Sequence, residues 1–190
     1  ISGRKPPENE FGWKREVLKN YLRYCWNRII APKRVKTEDK SLRAGYAEGC
    51  LAACRLAELS YDAYDARSML AMSLLSANMA DRVGVFSGAA QAYGMLGLAM
   101  GTYHFDTSAK EFLARGKALA ERSKKPGVMV FGAFAESTYL LGKGRVKDLP
   151  EAVDEAVDLA RLYGDRHEFE TILGLQCHLM YFSGQIEESG

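Results

Sequence analysis

The chain has 190 residues, of which 47% are hydrophobic and 26% charged, and its formal net charge is +2. This length and balance suit one folded domain with a buried core, and they exclude a disordered or fibrous chain. No apolar run approaches the ~20 residues of a membrane span and no signal peptide is visible, so we expect a cytoplasmic protein.

The charges are distributed unevenly along the chain. Residues 1–43 carry 12 Lys/Arg against 5 Asp/Glu, a net of +7, whereas the remainder carries 14 against 19, a net of −5. One interpretation is a solvated helix face beside an acidic array. The other is a basic arm that docks on nucleic acid, an anionic membrane or an acidic domain.

In chain order, residues 1–12 form a predicted flexible lead-in, and 13–38 form a helix with its linker. The helix is predicted from Trp13 to Ala31, because Pro32 disfavours helical backbone in the residue before it. Its apolar residues predict a wide buried face that caps the repeats behind it: Trp13, Val17, Leu18, Tyr21, Leu22, Cys25, Trp26 and Ile29. Its cations, with those of the linker, form a predicted basic patch of Arg15, Lys19, Arg23, Lys33 and Arg34.

Residues 39–190 contain a helix signature that returns every forty residues, at 76–82, 116–122 and 156–162. Each copy has a small residue, an apolar residue three positions on, and then Ala followed by a charged residue. Such a period predicts stacked helix pairs. We predict helices at about 40–59, 64–82, 87–101, 107–123, 128–141, 149–163 and 168–183, followed by a truncated last helix. The predicted fold is an all-α, right-handed α-solenoid of paired antiparallel helices behind an N-terminal capping helix.

Small residues support this arrangement. Gly94 and Gly97 lie inside a predicted helix, where glycine costs about 1 kcal/mol relative to Ala, so we expect close helix–helix approach there. Aligning Gly101, Gly142 and Gly184 brings further small residues together, in a pattern that resembles the first helix of a tetratricopeptide repeat. The forty-residue period is longer than the 34 residues of that repeat.

The order of the pieces carries a further resemblance. The chain contains five pieces in this order: an aromatic helix at 21–28, a Pro-Lys-Arg stretch, Leu56-Ala-Glu-Leu59, Ala118-Leu-Ala-Glu-Arg122 and a Leu-Ala-Arg-Leu-Tyr-Gly-Asp run at 159–165. From about 13 to 190 the chain resembles the C-terminal repeat region of bacterial class III adenylate/guanylate cyclases that also carry an AAA-type ATPase domain. The resemblance implies a regulatory, protein-binding region, with the catalytic residues upstream.

Catalytic and metal-binding patterns are absent from the sequence. There is no phosphate-binding loop, H-E-x-x-H, G-x-S-x-G or G-x-G-x-x-G motif. Cys50 and Cys54 share a helix face and are interpreted as buried thiols, while His104 and His167 fall in predicted turns. We therefore expect no enzyme activity, no cofactor and no metal in this chain.

The concave side of the array is the predicted binding surface, for a protein, a peptide or the parent's own upstream domains. Its predicted residues lie on the first helices of the repeats: Gln91, Met95, Leu98, Glu136, Tyr139, His178 and Tyr181. Four alternatives are open. The predicted groove aromatics can be core, or the chain can be a small-molecule sensor. The chain can also be a scaffold or self-associate through its C-terminal edge, or the basic N-terminal helix can dock on a membrane or nucleic acid.

Overall fold

The computed structural model describes residues 7, 9–29, 40–83, 86–145, 147–163 and 166–183. This part of the chain contains helices and turns and no strand. The all-α prediction is confirmed. The helices are α1 (Glu10–Ile29), α2 (Lys40–Asp62), α3 (Ala66–Val83), α4 (Phe86–Thr102), α5 (Asp106–Ser123), α6 (Pro126–Gly142), α7 (Leu149–Tyr163) and α8 (Arg166–Ser183).

The forty-residue period is visible in the turns that end the first helix of each pair. Residues with left-handed backbone stand at Tyr64, His104 and Gly144, with φ of 56°, 63° and 63°. The residue after each donates its N–H to the carbonyl five positions earlier, which is the helix-ending bond of a Schellman motif. These bonds are Asp65 to Ser60 at 2.8 Å, Phe105 to Met100 at 2.9 Å and Arg145 to Leu140 at 3.0 Å. The same local structure therefore closes α2, α4 and α6.

The packing order is that of a helical-repeat array. The first helices α2, α4, α6 and α8 pack on one another in sequence, and α3, α5 and α7 each pack against the helix before and after them. Within the described ranges the backbones of α3 and α5, and those of α5 and α7, do not approach each other. The second helices are therefore joined to one another through side chains, such as those of Arg115 with Asp81 and Lys117 with Glu155, and not through their backbones.

The repeated sequence signature is a packing signature. Its leading small residue is buried in all three copies, at Ser76, Gly116 and Ala156. The alanine four positions later is also buried, at Ala80, Ala120 and Ala160. A small side chain at these places lets the second helix of each pair approach its neighbours closely.

Helices α4 and α5 approach each other closely at two glycines. A Cβ added at Gly116 would lie 3.1 Å from the carbonyl oxygen of Ala90 and 3.1 Å from the nitrogen of Gly94. A Cβ at Gly97 would lie 2.5 Å from Cγ of Leu113. The packing reason expected for the helical glycines is therefore present.

The N-terminal helix begins three residues before the predicted Trp13. The Asn9 side chain accepts the N–H of Gly12 at 2.8 Å and so caps the helix at its first turn. Residues 30–39, including Lys33 and Arg34 and the predicted end of this helix, lie outside the described residues, as does the tail at 184–190.

The N-terminal helix covers the first repeat by lying along α3. The Asn78 amide of α3 donates to the backbone oxygen of Asn20 at 3.0 Å and accepts from Asn27 at 3.2 Å. Asn20 and Asn78 are both buried, so these bonds fix α1 on α3.

Only part of the predicted apolar face of α1 is buried. Val17 and Cys25 of that face pack into the core, and Trp13 is half-buried. Tyr24, which is not part of the predicted face, is also buried in the core. Leu18, Tyr21, Leu22 and Trp26 are exposed, which corrects the prediction that they pack on the repeats. The reason is that the helices packed against α1 lie on one side of it, so the opposite side stays exposed.

Candidate interaction grooves

The seat of α1 is a groove formed by α3, α4 and α5, here called the first groove. The Tyr24 ring enters this groove and packs against Tyr93 of α4 and Phe112 of α5, with ring centroids 6.3 Å and 5.9 Å away. Tyr93 and Phe112 are themselves stacked at 6.0 Å. An aromatic side chain of one helix is therefore anchored in a pocket made by three others.

A polar network lines the floor of the first groove. Arg115 of α5 donates to the Tyr24 hydroxyl at 3.3 Å and lies 3.7 Å from the Asp81 carboxylate of α3. Its guanidinium lies 4.1 Å from the centroid of the Tyr93 ring, and the Tyr93 hydroxyl donates to Asp81 at 3.0 Å. Burial and then the Asp81 charge raise the pKa of Tyr93, so its hydroxyl remains a donor at any physiological pH.

A second groove is open on the next repeat. It has a volume of about 440 Å³ and lies between α5 and α6. Its α5 wall has Lys110, Leu113, Ala114, Lys117, Ala118 and Glu121, and its other side has Glu136, Tyr139 and Leu140 of α6, with Arg145 from the following turn.

The two grooves correspond through the forty-residue repeat. On α3, Leu70 and Leu74 share an apolar cluster with Val17 and Tyr24 of α1. Asn78 donates a hydrogen bond to α1 directly. Asp81 pairs with Arg115, which in turn donates to the Tyr24 hydroxyl of α1. Shifted by forty residues, these positions are Lys110, Ala114, Ala118 and Glu121, all of which line the second groove. The α5 wall of the second groove is therefore the repeat equivalent of the α3 surface that holds α1.

The chemistry of the two grooves differs. Lys110 and Ala114 stand at the positions of the two α3 leucines, and both Ala114 and Ala118 are exposed. The α5 wall is therefore shallower and more polar than the α3 surface. Lys117 bridges the groove, with its ammonium 3.3 Å from Glu136 of α6 and 2.9 Å from Glu155 of α7. Burial lowers the pKa of Lys117, but the bonds and charges of Glu155 and Glu136 outweigh it and raise the pKa overall.

The predicted concave residues are divided by the structure. Met95, Leu98 and Tyr139 are buried, with exposures of 2%, 5% and 5%. Met95 and Leu98 therefore serve the core, which corrects their assignment to an open binding face. Tyr139 packs on α4, where its Cδ2 would lie 2.8 Å from a Cβ added at Gly101.

The other predicted residues remain accessible. Gln91 and Glu136 are half-buried, while His178 and Tyr181 of α8 are exposed. Glu136 and Tyr139 lie together in the second groove, and its other residues were missed by sequence reasoning. The forty-residue shift could have identified its α5 wall, but only once α1 was known to pack on α3.

The cysteine and histidine interpretations hold where the structure describes them. Cys50 and Cys54 are buried against Ser76, whose Oγ lies 3.2 Å and 2.9 Å from the two sulfurs. The bond with Cys50, together with burial, raises the pKa of Cys54. His104 is an exposed turn residue, whereas the His167 side chain is outside the described part. No group of three metal-ligating side chains occurs among the described residues.

The described helices include none that is both long and apolar enough to cross a bilayer. Comparisons with known proteins give no identification: no family model matches the chain, and no curated protein and no solved structure matches it significantly.

Proposed function

We propose that this chain is a non-catalytic helical-repeat module that binds a helical segment of a protein through its second groove. The observation that carries the proposal is the seat of α1. A helix with an aromatic anchor already occupies the first groove, and the repeat-equivalent surface on α5 is open.

The residues of the second groove suit such a ligand. Leu113, Ala114, Ala118 and Leu140 provide apolar surface, which drives binding when an amphipathic helix enters a groove. Lys110, Glu121 and Arg145 are charged groups around this surface. Charges in such places select partners and orient them more than they add affinity.

We propose further that the parent protein is a cytoplasmic signalling protein of the cyclase–ATPase type, and that the ligand helix can belong to its own upstream domains. The support is the order of sequence motifs from residue 13 to the C-terminus. In this proposal the repeat region regulates an upstream catalytic domain and performs no chemistry.

Two exposed alanines allow a direct test. We would replace Ala114 and Ala118 by Arg, which fills the groove without removing any core contact. Proteins retained from a lysate by the unaltered chain would be identified, and the binding segment of each would be titrated against the purified module. We expect the double variant to bind the segment at least tenfold more weakly, because the two arginine side chains occupy the space that the segment would enter. A tenfold loss corresponds to about 1.4 kcal/mol of binding free energy.

The matched control is Ala44→Arg with Ala52→Arg on α2, since both alanines are exposed and lie outside the groove. Equal melting temperatures for all three proteins would show that the fold is intact. If the groove variant retains the segment as well as the control does, the second groove is not the binding site.

A further inference from the structure

The side of α1 that faces away from α3 presents a row of large apolar side chains to solvent. Phe11, Leu18, Leu22 and Trp26 are 77%, 57%, 58% and 58% exposed. Their spacing of seven, four and four residues places them along one face of the helix. This row is here called the outer ridge.

The outer ridge is unusual for a helix that has already buried one face. Asn20 and Tyr24 lie on the buried side, so the opposite side of a solvated helix should be polar. Four large apolar groups in one row instead form a contiguous surface of the kind that marks an interaction site. No described element of the protein covers it.

Cations flank the outer ridge. Lys14 and Lys19 are paired within the helix, at 3.1 Å from Glu10 and 3.3 Å from Glu16. Arg15 and Arg23 are exposed and make no ion pair with any described residue. The ridge therefore combines apolar groups with two positive charges that no described residue pairs, in a segment whose net charge over residues 1–43 is +7.

We propose that the outer ridge of α1 binds the surface of an anionic lipid bilayer. Helices that lie in the interface bury an apolar face among the headgroups and bring Lys or Arg to the anionic lipids. Trp26 suits this place, because tryptophan has an apolar ring and a polar N–H and is enriched at membrane surfaces. The proposal does not depend on the second groove, which involves other helices.

The geometry lets α1 serve both surfaces at once. Tyr24 and Asn20 stay on α3 while the outer ridge faces the bilayer, so binding needs no unfolding of the helix. The bilayer supplies the apolar environment that no described residue supplies to Leu18, Leu22 and Trp26. Charge complementarity makes an anionic surface the preferred one.

The test is sedimentation of the 190-residue chain with vesicles of phosphatidylcholine alone and of equimolar phosphatidylcholine and phosphatidylserine. We expect binding to the anionic vesicles, weakening as salt rises. Arg15→Gln and Arg23→Gln should each lower the partition coefficient about fivefold, the usual effect of one cation near such a surface. In a Trp13→Phe background, the Trp26 emission should shift to shorter wavelength on binding.

Leu22→Gln with Trp26→Gln should abolish binding, and Leu56→Gln with Leu59→Gln is the matched control. The control pair lies on α2 and is 51% and 63% exposed, so it removes comparable apolar surface elsewhere. Three results would overturn the proposal: no binding to anionic vesicles, equal loss in the control, or binding to a single-stranded oligonucleotide in place of vesicles.

Discussion

At the scale of single residues, the structure depends on places where a side chain has no room. Gly116 is such a place, because the atoms nearest to an added Cβ belong to the backbone of α4 and cannot rotate away. The sequence identified the position as the small residue that opens the repeat signature. It could not identify the opposing atoms, since they depend on how α4 and α5 are oriented.

We expect Gly116→Ala to destabilise the protein by about 1–3 kcal/mol, the usual cost of overpacking, although Ala is the better helix former. The matched control is Gly45→Ala in α2, where nothing lies within 4 Å of the added Cβ. It should gain about 0.5–1 kcal/mol. Urea unfolding of both variants measures this, and a Gly116→Ala protein as stable as the control would show that α4 and α5 can separate without cost.

At the scale of helices, the sequence predicts the bounds of an element closely where residues that favour turns stand at its ends. The predicted range 149–163 for α7 agrees with Leu149–Tyr163. The start of α1 was missed because an Asn9 cap is a weak signal beside the Pro-Pro pair that precedes it. Which side of α1 is buried could not be predicted either, because apolar residues surround most of this helix and only the position of α3 decides between them.

The anchoring of α1 by Tyr24 gives an element-scale prediction. Tyr24→Phe should cost about 1 kcal/mol, because it loses the hydroxyl bond with Arg115 and keeps the ring contacts. Tyr24→Ala should cost about 3–5 kcal/mol, the range for removing a buried aromatic side chain. Thermal or urea unfolding gives both values.

Hydrogen exchange tests the same anchor independently of global stability. In Tyr24→Ala, the amides of α1 should lose more protection, relative to the unaltered protein, than the amides of α4 do. Equal protection of α1 in Tyr24→Ala and in the unaltered protein would mean that the asparagine bonds to α3 hold the helix without the ring.

At the scale of the whole molecule, the period of forty residues was sufficient to predict a solenoid of helix pairs. It was not sufficient to predict the binding surface. The concave residues are predicted on the first helices of the repeats, but Met95 and Leu98 lie in the core instead. Small rotations of each helix decide which residues are exposed, and they come from side-chain packing between repeats that one sequence does not reveal.

Stacked repeats contact only their neighbours, so stability should vary along the array. Among the described side chains of α8, Ile172 and Leu175 are buried, whereas α4 is buried along most of its length. We expect hydrogen exchange to show α8 opening well before α4 and α5. Uniform protection across α4, α5 and α8 would instead show that the array unfolds as one unit.

The bridge that Lys117 makes to Glu155 has a mechanical consequence. The backbones of successive second helices do not approach each other, so bending the array changes the spacing between these helices. Between α5 and α7 the ion pair of Lys117 resists widening, but a 2.9 Å contact between partly exposed groups is weak and is screened by salt. The array should therefore bend more easily at this repeat than at the first, where α1 fills the groove. A helix bound in the second groove would then set the angle at which the two ends of the array point.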